Sequence, residues 1–244
     1  MEKYPRNHFS YSAISAYLDC PMKWYYNYVV APVREEEPFV FTLGTLYHNA
    51  LETLYGNKDI QKGFDILNDG WAKANGKFEK KGVERIIKCY ETYAADVYPL
   101  YESRTDIIEM TDRIDIEDID VPFEFRIDLS TIDKAIIDHK TVGTTHSKYK
   151  PNVDNSLQLN LYAYGYYVKT GFMPSRVEYH YAFKDTGNIQ IASAIVNQRD
   201  MLKAVAIAKG VYKAIKNDVF YPSFKASCRN CPHEQLCTSN LGRI

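Results

Sequence analysis

The chain's 244 residues are 45% hydrophobic and 25% charged, enough for a globular core, and no run approaches the ~20 consecutive apolar residues that cross a bilayer. A formal net charge of -1 excludes a uniformly basic surface, so a nucleic acid could bind only in a local basic groove. The start, Met1 to Arg6, holds no signal-peptide core, which predicts a cytoplasmic protein; the odd count of 5 cysteines argues against a disulfide framework, and their clustering argues for a metal.

In chain order, Ser10 or Ser12 caps a helical run in which Ile14, Tyr17, Leu18, Trp24, Tyr25 and Tyr28 recur at helical spacing. Cys20-Pro21 interrupts it, so two short helices are predicted to meet there. Residues 31 to 38 form a polar linker bounded by prolines. From Phe39 to Tyr55 the period is helical again, with Leu43, Leu46, Leu51 and Leu54 on the apolar side. His48 lies within that helix, where a lone histidine is ordinarily a satisfied core or surface residue. Two more helices are predicted, around Trp71 and from Val83 to Tyr101, with Cys89 as a small core hydrophobe.

The period then changes. Residues 107 to 116, 121 to 129 and 134 to 139 read as three strands of an antiparallel meander. The last two form a hairpin, with Asp128 on one strand and Asp138, His139 and Lys140 on the other. Residues two apart on a strand share a face, so Asp138 and Lys140 point into one site across from Asp128. Two carboxylates there suit a hard divalent cation, and an ammonium suits a water or a phosphate. A solvated hairpin carries charges at its turn in the same way, and an isolated D-x-K does not decide between the two.

A polar, mildly basic loop over 141 to 153 leads to a helix from about Asp154 to Lys169, with Gln158, Leu161, Tyr162 and Gly165 three and four apart. Residues 176 to 183 and 189 to 196 form a second hairpin, and Asp200 to Lys216 an amphipathic helix. The tail from Tyr221 is irregular and carries Cys228, Cys231 and Cys237, a C-x2-C-x5-C run. Three thiolates this close converge on one metal centre, and Cys20 is the natural fourth ligand, either for a [4Fe–4S] cluster or for Zn²⁺. The chain reads as one domain over 1–244, with a helical insertion between 56 and 103 and a cysteine-rich tail over 221–244.

These signals in this order, namely the opening Ser-Tyr-Ser-Ala-Ile-Ser-Ala-Tyr-Leu-Asp-Cys-Pro, Gly44-x-x-x-His48, Asp128, Asp138-x-Lys140, Gln158-Leu159-x-Leu161-Tyr162 and the cysteine tail, resemble the PD-(D/E)XK nuclease superfamily. Within it they resemble the RecB-like iron–sulfur branch that includes CRISPR-associated RecB-like exonucleases and the AddB nuclease domain. The resemblance runs from about Ser10 to Cys237. It implies an α/β (α+β mixed) fold, with a central mixed sheet flanked by helices in restriction-endonuclease-like fashion and an iron–sulfur clasp joining the N- and C-terminal segments.

The resemblance further implies a Mg²⁺- or Mn²⁺-dependent deoxyribonuclease, an exonuclease on single-stranded DNA ends with 5′→3′ polarity slightly favoured. His48, Asp128 and Asp138 would hold the metal together with the backbone carbonyl of His139. Lys140, Gln158 and Tyr162 would complete the catalytic set, and Cys20, Cys228, Cys231 and Cys237 would bind the cluster. Glu109 is an auxiliary candidate, and Asp115 is the alternative to Asp128 as first acidic ligand. Phe125 departs from the glycine often found three residues before that ligand. Implied partners are DNA and CRISPR adaptation or recombination proteins, in the cytoplasm, that of a phage's host included. Rival readings are a non-catalytic DNA-end-binding or spacer-processing subunit and a zinc-stabilised interaction protein.

Overall fold

The computed structural model describes residues 4–30, 43–73, 80–143, 152–224, 228 and 231–241. The linker expected over 31–38 and residues 144–151 of the expected basic loop lie outside them. The described residues fall into two compact units. A central unit is drawn from 39–112 and 126–201, and a terminal unit from 1–38, 113–125 and 202–244.

In the central unit, α3 (Leu43–Asn57), α4 (Ile60–Lys73) and α5 (Lys80–Thr92) form a helical layer. A π-turn over Tyr93–Val97 carries the chain from α5 into the short α6 (Tyr98–Tyr101). Pro99 sits at the start of α6, where it has no N–H to give to the preceding turn. The continuous helix expected from Val83 to Tyr101 is therefore re-aimed at Tyr93. Leu46, Leu51, Leu54, Ile86 and Tyr90 from these helices pack with Leu129 and Ile137 of the sheet in one buried cluster.

The sheet is mixed. β2 (Thr105–Ile114) pairs with β3 (Phe123–Thr131), and β3 runs antiparallel to β4 (Ala135–Val142) with Leu129 opposite Ile137. β4 then pairs parallel with β5 (Arg176–Phe183), and β5 antiparallel with β6 (Asn188–Ile195). A parallel pair needs a crossover, and α7 (Leu157–Thr170) supplies it. Ser156 caps α7 by accepting the Leu159 N–H at 3.1 Å, so the helix starts at 157 and not at Asp154 as the apolar pattern suggested. Seven of the eight β5 residues are buried, as befits a strand covered on both faces.

A tight approach fixes the helical layer. A Cβ added at Gly63 of α4 would lie 1.8 Å from the Tyr90 Oη, which donates to the Ile60 carbonyl at 2.9 Å. Because the Tyr90 ring is itself buried, Gly63→Ala should lower stability by about 1–2 kcal/mol in urea unfolding, overpacking outweighing the gain in helix propensity. An unchanged or higher midpoint would contradict this packing.

In the terminal unit, β1 (Phe9–Ser10) pairs parallel with Phe123 and Glu124 at the start of β3. Ser10, not Ser12, caps α1 (Tyr11–Asp19), and Cys20 both ends α1 and caps α2 (Pro21–Tyr25). The two helices thus meet where Cys20-Pro21 predicted. Trp24 is fully buried and stacks on Tyr28 and Phe220, with centroids 5.0 and 5.8 Å away. α8 (Gln198–Lys216) begins two residues earlier than its pattern suggested. The tail is not wholly irregular: Cys231 and Pro232 turn the chain, and Glu234–Leu241, a stretch without Pro or Gly that has Glu234 in its first turn, forms α9.

Candidate active site

β4 brings Asp138 and Lys140 to one face, and the β3–β4 register, continued one step beyond Leu129 and Ile137, sets Asp128 opposite Asp138. α3 adds His48, and the first two turns of α7 add Gln158 and Tyr162, four apart on one helix face. These six side chains line one open cavity of about 410 Å³ within the central unit. The structure therefore brings together every metal and catalytic side chain expected from the hairpin, the G-x-x-x-H helix and the Q-L-x-L-Y helix.

Asp128 Oδ2 accepts the His139 backbone N–H at 2.8 Å and lies 3.3 Å from His48 Nδ1. Asp138 Oδ1 accepts from Gln158 Nε2 at 2.7 Å, and Gln158 Oε1 accepts from the Tyr179 hydroxyl at 3.3 Å. Asp138 Oδ2 is buried 2.6 Å from Lys140 Nζ, yet the approach angle leaves it without a formed hydrogen bond.

The two carboxylates are driven apart electrostatically. Burial opposes the Asp128 charge, but His139 and His48 outweigh it and hold this carboxyl well below the usual range. Burial and the Asp128 charge push Asp138 up to about 6 against the pull of Lys140. Burial also works against a charged His48, and Asp128 and Asp138 overcome it, so its pKa is raised. Two neighbouring buried carboxylates, the second held against ionisation by the first, are what a bound cation relieves.

Glu109 lies close by. Ligand atoms of His48, Glu109 and Asp128 all lie within 4.8 Å of one another. Glu109 occupies a left-handed backbone conformation (φ 52°) inside β2, and its Oε2 is held by Arg126, with Nη2 at 2.6 Å. The donor set, oxygen with one imidazole nitrogen, suits a hard divalent cation. Asp115 is exposed beyond the end of β2 and is not among the residues lining the cavity. Sequence reasoning passed over Arg126, which also lines it. The spacing that linked Asp138 to Lys140 links Arg126 to Asp128 equally well.

Cys20, Cys228, Cys231 and Cys237 line a separate cavity of about 220 Å³ in the terminal unit, together with His233. Cys20 Sγ accepts backbone N–H groups from Lys23 and Ser223, each at 3.4 Å. Burial and then the other three thiols raise the Cys237 pKa. Cys89 is buried in the central unit, where burial pushes its thiol up to about 11, in keeping with a core hydrophobe.

A mixed α/β fold with this sheet and its flanking helices is restriction-endonuclease-like in class. A family model described as the PD-(D/E)XK nuclease superfamily matches residues 8–238, and the chain belongs to that superfamily. Among solved structures, the "putative exonuclease" of Eubacterium rectale is similar in fold, with a TM-score of 0.56 and 15% identity, over 92% of this chain and 88% of that one. The protein SSO0001 matches with a TM-score of 0.42 and 14% identity, over 84% of this chain and 89% of that one. No curated protein matches the chain. No helix among the described residues is long and apolar enough to cross a membrane.

Proposed function

We propose that this chain is a divalent-metal-dependent deoxyribonuclease that shortens single-stranded DNA from its ends, 5′→3′ in preference, in the cytoplasm. The observation that carries the reading is the convergence of Asp128, Asp138, Lys140 and His48 on one cavity, in a chain of nuclease descent. The name exonuclease borne by the relative from Eubacterium rectale is consistent with end-directed cleavage.

His48, Asp128 and Asp138 would hold the ion, with the His139 carbonyl completing its coordination and Glu109 as an auxiliary carboxylate. A Mg²⁺ or Mn²⁺ ion bound there supplies Lewis-acid polarisation of a phosphodiester and activation of water. Gln158 fixes one Asp138 oxygen, so the other lies beside Lys140. Lys140, about one-third exposed, is placed to hold an attacking water in line or to steady charge building on the phosphate. Tyr162 stands on the same α7 face as Gln158 and would contact the scissile region.

In the terminal unit we assign the four cysteines to a [4Fe–4S] cluster, and we read the chain as one of the RecB-like iron–sulfur branch. The support is that all four cysteines line one cavity and that backbone N–H groups are directed at Cys20 Sγ, as hydrogen bonds to cluster ligands are.

The test compares wild type with Lys140→Ala on end-labelled single-stranded and duplex DNA in Mn²⁺. We expect progressive shortening of the single strand by wild type and a fall of about 10²–10³ in rate for the variant. Equal degradation by both proteins would remove Lys140, and with it this reading of the site.

A further inference from the structure

Behind the cavity a buried hydrogen-bonded chain leads away from Asp128. The Tyr93 hydroxyl, in the π-turn, lies 3.0 Å from His139 Nε2, 2.9 Å from His180 Nδ1 and 3.0 Å from the Tyr55 hydroxyl. His180 Nε2 is 3.0 Å from Glu178 Oε2, which also accepts the Tyr101 hydroxyl at 2.7 Å. Glu178 Oε1 takes Arg176 Nε at 2.5 Å, and Arg176 is anchored on Asp133 at 2.6 Å. Tyr93, His139, His180 and Glu178 are all buried to within 3% of full enclosure. Nothing in the cleavage chemistry uses Tyr93, His180 or Glu178, and a chain of buried polar groups is costly unless each is satisfied.

The donors can be assigned from the far end. Glu178 is an acceptor at both oxygens, with Arg176 fixed on Oε1, so His180 presents an N–H from Nε2. A neutral His180 then has a bare Nδ1, and Tyr93 must donate to it. Having spent its one hydrogen, the Tyr93 oxygen accepts from Tyr55 and from His139, which therefore carries its hydrogen on Nε2. His139 Nδ1 is left as a lone pair facing Asp128 Oδ2, and their 3.6 Å separation is longer than a hydrogen bond. From Glu178 to the Nε2 of His139 every contact is satisfied by this one assignment, and His139 Nδ1 is the one ring nitrogen it leaves without a hydrogen bond.

We propose that Glu178, His180 and Tyr93 form a positioning relay that sets the tautomer of His139, so that the ring turns a lone pair and not an N–H toward Asp128. The Asp128 carboxylate is then left to the backbone N–H, to His48 and to the ion. With the opposite tautomer the His139 ring would donate to Asp128 and compete with the ion for it. This inference rests on the nuclease reading only for its consequence; the tautomer itself does not.

Glu178→Gln, made in a Tyr55→Phe background so that the Tyr93 hydrogen has no other acceptor, tests it. Arg176 holds the amide oxygen in the Oε1 place, so the amide N–H₂ faces His180 and reverses every donor up to His139. The full-length, metal-free protein labelled with ¹⁵N-histidine reports which ring nitrogen of His139 bears hydrogen, and calorimetry with Mn²⁺ alone reports affinity. We expect Nε2–H in wild type, Nδ1–H in Glu178→Gln, and Mn²⁺ bound about tenfold more weakly by the variant. Tyr101→Phe, which removes a hydrogen bond to the same carboxylate without reversing it, should leave the tautomer and the affinity as in wild type. Tyr93→Phe, missing one oxygen, should free His139 and weaken Mn²⁺ likewise.

Nδ1–H in wild type, or the same tautomer in wild type and Glu178→Gln, overturns the relay. So does equal weakening by Tyr101→Phe, and so does failure of both Glu178→Gln and Tyr93→Phe to fold, which would make the chain a folding core. A wild type with the expected tautomer that neither binds Mn²⁺ nor cuts DNA would sink the nuclease site instead.

Discussion

Asp138→Asn is expected to lower cleavage about a thousandfold or more, and at the same time to make the metal-free protein harder to unfold. The first effect follows from removing a charged ligand beside Lys140. The second follows from the native carboxyl being pushed up to about 6 by burial and by Asp128, while the unfolded chain titrates near ~4. A raised native value means that stability is fully present below the unfolded value and is lost as pH rises through the native one. In metal-free wild type that loss falls between about pH 4 and pH 6 and persists above it, at roughly 1–3 kcal/mol. The substitution keeps the oxygen that accepts from Gln158 and removes the buried charge, so the pH-dependent loss disappears with it, while Lys140 turns from the new amide N–H₂ to water.

Melting curves in EDTA at pH 4 and pH 7.5 check the prediction. The variant should match wild type at the lower pH and exceed it at the higher. Mn²⁺ should then raise the melting temperature of wild type, by mass action on the native state, and leave the variant nearly unmoved. A variant less stable than wild type at pH 7.5 without metal would contradict the electrostatic account.

The second large effect is expected at Cys20. Under the proposed cluster, Cys20→Ser removes the ligand that ties the N-terminal segment to the tail. Releasing a crosslink across about 200 residues of chain is worth about 5 kcal/mol in chain entropy alone, before any ligand bond is counted. For a chain of this size that is a fall of about 10–20 °C in melting temperature. Anaerobically purified wild type should be brown, Cys20→Ser should have lost the colour, and Cys89→Ser should keep it. Retained colour in Cys20→Ser would remove Cys20 from the cluster, and a colourless wild type with stoichiometric zinc would replace the cluster with Zn²⁺.

The sequence disclosed the long elements because their periods extend over several turns or pleats: α3, α7, α8 and the strands β3 to β6 all lie close to where periodicity put them. β1 has only two residues, too few for any period, and exists through its pairing with Phe123 and Glu124. α9 was hidden by the cysteine spacing, which draws attention to metal chemistry and away from Glu234–Leu241.

At the site, Asp138 and Lys140 were readable from i, i+2 alternation and Asp128 from the short turn between them. His48 was readable only from the order of motifs, since nothing local marks it. Tyr93 and His180 were beyond sequence reasoning, because they meet through the parallel register that sets His139 beside His180 and through the π-turn that re-aims Tyr93. The left-handed backbone at Glu109 has no sequence signature either, as glutamate rarely adopts it.

The aromatic stack around Trp24 has a spectroscopic consequence. The sequence holds 2 tryptophans, and they are divided, Trp24 in the terminal unit and Trp71 in α4 of the central unit. Trp24 is enclosed by Tyr28 and Phe220, whereas Trp71 is half-buried, so their emission differs before and after unfolding. A protein keeping either indole alone, its partner replaced by Phe, reports the melting of one unit by fluorescence. Coincident or separate transitions in the two proteins then read out directly whether the units unfold as one.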